Sequence, residues 1–264
     1  MYNKWSKDAD KILTVNWPSK SKEELETIFN LPYAKIWNRA NRLKILSSRP
    51  KYYKRMSRRI YPTVSDLSKL LSKSKEASYW IGYMLADGSI SIPKSLRVWA
   101  GEKDRDHLEK FAKFIGTEVT IIPPASTTFG YTAPMCVVTA SGKDSIVALI
   151  GYLGYVSNKT YNPPTKTVEM PMEEYLPMLI GFIDGDGNIY HTKSGYQQLT
   201  LELHSSWEPF LVDMVNRFRG LGYVAHYPKL TKRGYIRFST GSTKLIEFLR
   251  EASKSVPSLE RKWS

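Results

Sequence analysis

The chain has one cysteine, Cys136, in 264 residues, which excludes an internal disulfide and any zinc site built on cysteine thiolates. Its four histidines, His107, His191, His204 and His226, show no metal-ligand spacing and read as structural or exposed. Long apolar runs are missing as well. The longest, near Ile146 to Val156 and Leu176 to Ile183, are too short to cross a bilayer, and no apolar segment follows Met1. A soluble, unprocessed protein in a reducing, intracellular setting is expected, in cytoplasm or nucleoid or in an organelle. No GxxxxGK phosphate loop occurs, so neither nucleotide-driven chemistry nor a small-molecule substrate is expected.

Acid is scarce at one end. Met1 to Lys75 holds eighteen Lys and Arg against six Asp and Glu, whereas the other 189 residues hold twenty-one against nineteen. Most of the net charge of +14 therefore sits in the first quarter of the chain, as contact with a polyanion requires. Nucleic acid is the natural partner, since each neutralised phosphate releases counterions. Membrane binding would need a broad apolar helix face, which the densest basic run, Lys44 to Arg59, lacks. With 42% hydrophobic residues, the chain can bury a sizeable core and is long enough for two or three domains.

An eleven-residue segment occurs twice: Trp80-Ile81-Gly82-Tyr83-Met84-Leu85-Ala86-Asp87-Gly88-Ser89-Ile90 and Leu179-Ile180-Gly181-Phe182-Ile183-Asp184-Gly185-Asp186-Gly187-Asn188-Ile189. In each copy a small residue recurs four positions on, Gly82 with Ala86 and Gly181 with Gly185, placing both on one helical face. Two such faces can touch backbone to backbone, and each helix is expected to stop at its Asp-Gly with the glycine left-handed. Asp87 and Asp186 would then meet at the same end of a crossed pair. Two carboxylates at helix C-termini oppose the macrodipole and repel each other, and a divalent cation removes both objections.

These paired segments resemble the LAGLIDADG motifs of homing endonucleases, in the single-chain form with two motif copies. The resemblance implies an α+β fold: a pseudo-two-fold pair of αββαββα domains whose antiparallel sheets form a DNA-binding saddle. It makes Asp87 and Asp186 the metal-binding acids, with the carbonyls of Ala86 and Gly185 beside them. Mg²⁺ is the implied cofactor, and Mn²⁺ or Ca²⁺ can substitute in binding. The first copy departs from the pattern at Leu85, where the second has Asp184. The implied activity is hydrolysis of one phosphodiester per strand of an asymmetric double-stranded DNA target by a monomer, with a staggered cut. Intron or intein mobility is the implied setting. A non-cleaving DNA-binding regulator and an intron RNA maturase are the alternatives on the same scaffold. A further basic residue per site is expected after the last helix of each half: Lys159, and Lys262 with Arg261 as its neighbour.

The order of elements after each motif repeats. Strand-like Leu96 to Ala100, helical Asp106 to Ile115, β-rich Glu118 to Ile122 and Met135 to Thr139, and helical Ser141 to Tyr152 are matched by Gln198 to Leu203, Pro209 to Leu221, Tyr223 to Tyr227, Tyr235 to Thr240 and Thr243 to Ala252. The family resemblance assigns DNA contact to these strands, where Lys94, Arg97, Ser126, Thr127 and Thr128 in the first half and Lys193, Gln197, Gln198, Lys229, Lys232, Arg233 and Arg237 in the second have suitable chemistry.

Ahead of the motifs, Ser6 and Ser21-Lys22-Glu23-Glu24 open two helices, Asn30 closes the second, and Leu31-Pro32 starts a third. Ile36, Ala40 and Leu43 lie on the inner face of that third helix, and Lys35, Asn38, Arg39 and Arg42 lie elsewhere on it. The segment resembles a Myb/SANT-like or homeodomain-like helix-turn-helix with Trp5, Trp17 and Trp37 as core. An acid-free stretch follows, with Lys51, Lys54, Arg55, Arg58 and Arg59 as phosphate contacts, and Asp66 to Lys73 forms a short helix. The expected domains are 1–48, the helix-turn-helix module; 49–75, a basic linker; 76–160, the first motif half; and 161–264, the second.

Overall fold

The computed structural model describes residues 5–45, 65–122, 126–127, 130–131 and 133–264. They fall into two units, Met1–Ile60 and Tyr61–Ser264. Lys51, Lys54, Arg55, Arg58, Arg59 and Thr128 lie outside the described residues.

The first unit contains three helices, each started by its sequence signal. Ser6 caps α1 (Lys7–Asn16) by accepting from the Ala9 N–H. Ser21 and Glu24 form a capping box on α2 (Lys22–Phe29), and Asn30 ends it in the left-handed conformation. Pro32 precedes α3 (Tyr33–Arg42), whose first N–H is taken by Glu26 Oε1 at 2.7 Å. Leu13, Trp17, Leu25, Ile36 and Ala40 form the core, with Trp5 and Leu43 packed against it. Trp37 is not part of it. One residue past Ile36 is a rotation of about 100° around the helix, and Trp37 is 43% exposed.

The second unit opens with a 3₁₀ turn, Leu67–Leu71, in place of the longer helix expected over 66–73, because Lys73 adopts a positive φ that stops it. Two matching series follow. The first is α4 (Lys75–Asp87), β1 (Gly88–Ser91), β2 (Ser95–Gly101), α5 (Arg105–Ile115), β3 (Val119–Ile122), a small ribbon of β4 (Ser126–Thr127) and β5 (Gly130–Tyr131), β6 (Met135–Ser141) and α6 (Lys143–Leu153). The second is α7 (Met172–Asp186), β7 (Asn188–His191), β8 (Gln197–His204), α8 (Glu208–Gly220), β9 (Lys229–Leu230), β10 (Tyr235–Thr240) and α9 (Thr243–Ser253), followed by the short α10 (Glu260–Trp263). Both sheets are antiparallel and share one topology, β1-β2-β6-β3 and β7-β8-β10-β9. The strand expected after each motif is thus the second arm of a hairpin whose first arm begins at Gly88 in the first half and just after Gly187 in the second. One face of each sheet is covered: on β2, Leu96, Val98 and Ala100 are buried, and Ser95, Arg97 and Trp99 alternate on the opposite face.

The expected strand at 223–227 is irregular, and β9 lies further on. Its residues are bonded back to α8: the Tyr223 N–H donates to Phe218 O, Arg219 Nε donates to Ala225 O, and Tyr227 sits under the Arg219 guanidinium with its hydroxyl on Asn216. Groups used in that way are withdrawn from a ladder.

The motif helices α4 and α7 cross at their small residues. A β-carbon on Gly82 would lie 1.8 Å from the Met178 carbonyl oxygen, one on Gly181 would lie 2.0 Å from the Tyr79 oxygen, and one on Gly185 would lie 2.1 Å from the Ala86 β-carbon. Only hydrogen fits at these positions. The closing glycines act differently from the expectation. Gly88 and Gly187 are extended (φ −97° and −78°) and lead straight into β1 and β7. They are glycine because a β-carbon would strike the preceding turn, 2.4 Å from Met84 O and 2.6 Å from Ile183 O.

Gly82→Ala and Gly181→Ala should each lower stability by about 3 kcal/mol, because backbone on the partner helix cannot move aside. Gly151 in α6 has open space around its Cα, so Gly151→Ala should instead gain up to about 1 kcal/mol of helix propensity. Denaturant midpoints of the three variants check both signs.

Candidate active site

The helix crossing brings Asp87 and Asp186, the last residues of α4 and α7, to the same end of the pair. Asp87 Oδ2 would stand 3.3 Å from a β-carbon on Gly185, so the glycine also clears room for the carboxylate. The Asp87 carboxyl is pushed up to about 6, first by burial and then by the charge of Asp186, while Lys159 and Lys262 pull it back. Solvent reaches Asp186, yet enough protein surrounds its base to raise its carboxyl too, against the same two lysines.

Each lysine is seated on the C-terminal carbonyls of its own half's motif helix. Lys159 Nζ donates to Met84 O at 3.4 Å, to Leu85 O at 2.6 Å and to Ala86 O. Lys262 Nζ donates to Ile183 O at 3.0 Å, Asp184 O at 2.5 Å, Gly185 O at 3.5 Å and Gly187 O at 2.7 Å. A cation at this end answers the negative pole of the helix and the two acids beside it. Burial nevertheless lowers both lysines, Lys159 to about 8. Arg261, the alternative to Lys262, is held away by a two-point ion pair with Asp104, both contacts at 2.7 Å.

The seats of the lysines involve residues not singled out above. Trp207 Nε1 donates to Lys159 O at 3.1 Å, and Ser206 Oγ to Thr160 O at 2.9 Å, fixing the strap that follows α6. Asp184, 2% exposed, receives Tyr79 Oη, the Leu259 N–H and Trp263 Nε1 at 2.7, 2.8 and 2.7 Å. It therefore ties the segment bearing Lys262 to both motif helices. The one sequence signal for this was an acid at 184 where the first copy has Leu85, which is buried in the core.

The donor set available to a metal is all oxygen: two carboxylates, whose charges repel one another, and the Ala86 and Gly185 carbonyls, each of which already accepts from a lysine and has one lone pair left. No group of three or more His, Cys, Asp or Glu able to hold an ion occurs among the described residues. Such an open oxygen set fits a hard ion that keeps part of its water, as Mg²⁺ does, and does not fit zinc.

The remaining candidates are spread over surfaces. Lys94 and Lys193 are exposed in the β1–β2 and β7–β8 turns, and Lys229, Lys232 and Arg233 are exposed on β9 and the turn after it. Arg97 lies on the uncovered face of β2 with its Nε buried and without a partner among the described residues. Gln197 accepts from Arg250, Gln198 is bonded to Tyr190 and Ser239, and Arg237 pairs with Glu202 across the strands. Ser126 and Thr127 form β4. In the first unit Lys35, Asn38 and Arg42 are exposed on α3, whereas Arg39 is occupied by a two-point pair with Asp10 at 2.7 and 2.5 Å that joins α3 to α1.

Among solved structures, the homing endonuclease I-WcaI bound to its DNA recognition sequence aligns with 75% of this chain and 86% of its own, at 14% identity and a TM-score of 0.51. The fold is the LAGLIDADG homing-endonuclease fold. Variants of the homing endonuclease I-DmoI align less closely. A mesophilic variant covers 68% of this chain and 95% of its own at 12% identity with a TM-score of 0.47. A variant in complex with its nicked target DNA in the presence of Mn covers 66% and 90% at 12% identity with a TM-score of 0.42. No protein-family model and no curated protein matches the chain. Among the described residues no helix is long and apolar enough to cross a membrane.

The raised Asp87 carboxyl has a consequence for stability in EDTA. A folded value of about 6 against an ordinary 3.8 means that the native state holds this proton more tightly than the unfolded chain. That contribution is complete below about pH 4 and is lost as pH rises through 6. Asp87→Asn removes it, so the variant's stability relative to the parent should climb between those pH values and level off above them. Urea midpoints over that interval test it; a constant gap would contradict it.

Proposed function

We propose that this chain is a sequence-specific double-stranded DNA endonuclease, a homing endonuclease of the two-motif kind, cutting one phosphodiester in each strand of an asymmetric target. The observation that carries the reading is the pair Asp87 and Asp186 at one end of a glycine-packed helix crossing, each with its own lysine on the adjoining carbonyls. The likeness in fold to I-WcaI supports it. Asp87 and Asp186, with the Ala86 and Gly185 carbonyls, would hold Mg²⁺. Bound there, the ion supplies positive charge against a phosphodiester and acidifies water.

The protein's own groups do the rest. The two carboxylates, uncomfortable together, are poised to accept cations and to orient a water by hydrogen bonding. Lys159 and Lys262, beside the acids, would add positive charge near the phosphoryl oxygens on which charge develops during attack, one for each strand. The Trp207 and Asp184 contacts hold the lysines' backbones still, so that charge needs no reorganisation during reaction. The sheets' uncovered faces would read bases in the major groove. The N-terminal unit would add a helix-turn-helix contact through Lys35, Asn38 and Arg42 on α3.

The test uses the full chain with duplex DNA that joins the sequences flanking its reading frame, in Mg²⁺ or EDTA. Metal-dependent double-strand cleavage is expected, with Asp87→Asn and Asp186→Asn each losing it by at least about 100-fold while binding is largely kept. Binding without metal-dependent nicking would instead favour a regulator, and RNA binding without DNA cleavage would favour a maturase. Replacing Lys35 and Arg42 together by alanine should reduce the salt dependence of DNA binding, log K against log salt, by about 2. An unchanged slope would remove α3 from the interface.

A further inference from the structure

The uncovered face of the second sheet carries a side-chain relay across three strands. Tyr190 on β7 stands directly opposite Gln198 on β8, and its hydroxyl donates to Gln198 Oε1 at 3.1 Å. On the other side, Gln198 Nε2 donates to Ser239 Oγ on β10 at 2.6 Å. Ser239 pairs with Thr200, which makes it the diagonal neighbour of Gln198. The amide is therefore gripped from both flanking strands.

A carboxamide has two N–H donors and two acceptor lone pairs. The relay consumes one of each. Exchanging the amide oxygen and nitrogen leaves the same balance, because either hydroxyl can donate or accept. One N–H and one lone pair remain, side by side on a rigid group whose rotation is already restrained. In the major groove guanine offers two acceptors, cytosine a donor and thymine an acceptor. Adenine alone offers an acceptor, N7, next to a donor, N6, the complement of what Gln198 has left. Restraint by Tyr190 and Ser239 also reduces the side-chain entropy lost on contact.

Resting on the endonuclease reading, we infer that Gln198 is a specificity-determining residue that reads one adenine in the half-site under the second sheet. The first sheet does not mirror it. The pairs equivalent in register are Ser91 with Ser95 and Arg97 with Thr139, so hydroxyls stand where the second half has Tyr190 and Gln198. An adenine read in this way is therefore confined to one half-site.

The experiment is selection by the full chain from a randomised duplex DNA library in EDTA, followed by sequencing, for the parent, Gln198→Ala, Gln198→Glu and Tyr190→Phe. The parent should enrich a site with one position where adenine is preferred by at least about tenfold. Gln198→Ala should flatten that position alone, and Gln198→Glu, now acceptor-only, should move it toward cytosine. Tyr190→Phe should weaken the same preference several-fold and leave other positions unchanged. An unaltered site from Gln198→Ala, or relaxation at a position that was not adenine, overturns the inference and leaves the endonuclease reading standing. If the parent enriches no duplex sequence, that reading falls and the inference with it.

Discussion

The contact on which the second unit depends is backbone against backbone where α4 crosses α7. Gly82 and Gly181 each occupy a place in which even a methyl group would overlap a carbonyl of the other helix. Such an approach fixes both the distance and the rotation of the two helices, since any slide along the crossing exchanges hydrogen for a side chain. Two repeats of the same series are thereby locked about one axis. Whatever stands at the end of one helix is matched at the end of the other, and the residues there are Asp87 and Asp186.

That placement is electrostatically unfavourable, and the surroundings are organised to tolerate it. Helix C-termini carry partial negative charge, and two carboxylates add to it. Lys159 and Lys262 neutralise the carbonyl ends, but lysine is long and flexible, so its backbone has to be fixed to hold the ammonium in place. The anchors come from elsewhere: Trp207 and Ser206 of the second half secure the strap carrying Lys159. Arg261 beside Lys262 is tied to Asp104 of the first half. The second half thus secures the strap of the first half's lysine, and the first half holds the neighbour of the second's.

Much of this was legible in the residues. The small-residue spacing, the helix caps at Ser6 and Ser21, the left-handed Asn30 and the collinear order of strands and helices follow from local chemistry, which the chain obeys in the structure. Tertiary choices were less legible. Gly88 and Gly187 promise a left-handed stop, but the close approach of the preceding turn, rather than φ, demands glycine there. Tyr223 to Tyr227 is strand-like in composition, yet Arg219 and Asn216 of α8 take its polar groups first. Arg39 looks like a free basic residue until α1 delivers Asp10 to it, and Trp37 looks like core until the helix phase set by Ile36 and Ala40 turns it outward. In each instance the deciding partner is distant in the chain.

The departures from internal symmetry carry as much meaning as the symmetry. At the position where the second motif has Asp184 the first has Leu85, buried among apolar neighbours. A buried carboxylate is costly unless its oxygens are satisfied, and Asp184 meets that condition with three donors. Two of those donors, Leu259 and Trp263, lie in the segment beyond α9 that bears Lys262. The lysine strap of the first half is held instead by Trp207 and Ser206 of the second. An acid stands where the lysine's segment is anchored on the motif helix itself, and a leucine where the anchor comes from the other half. The same reasoning applies to the sheets: a common backbone topology positions both faces identically, and the side chains are free to diverge on the side that carries no core.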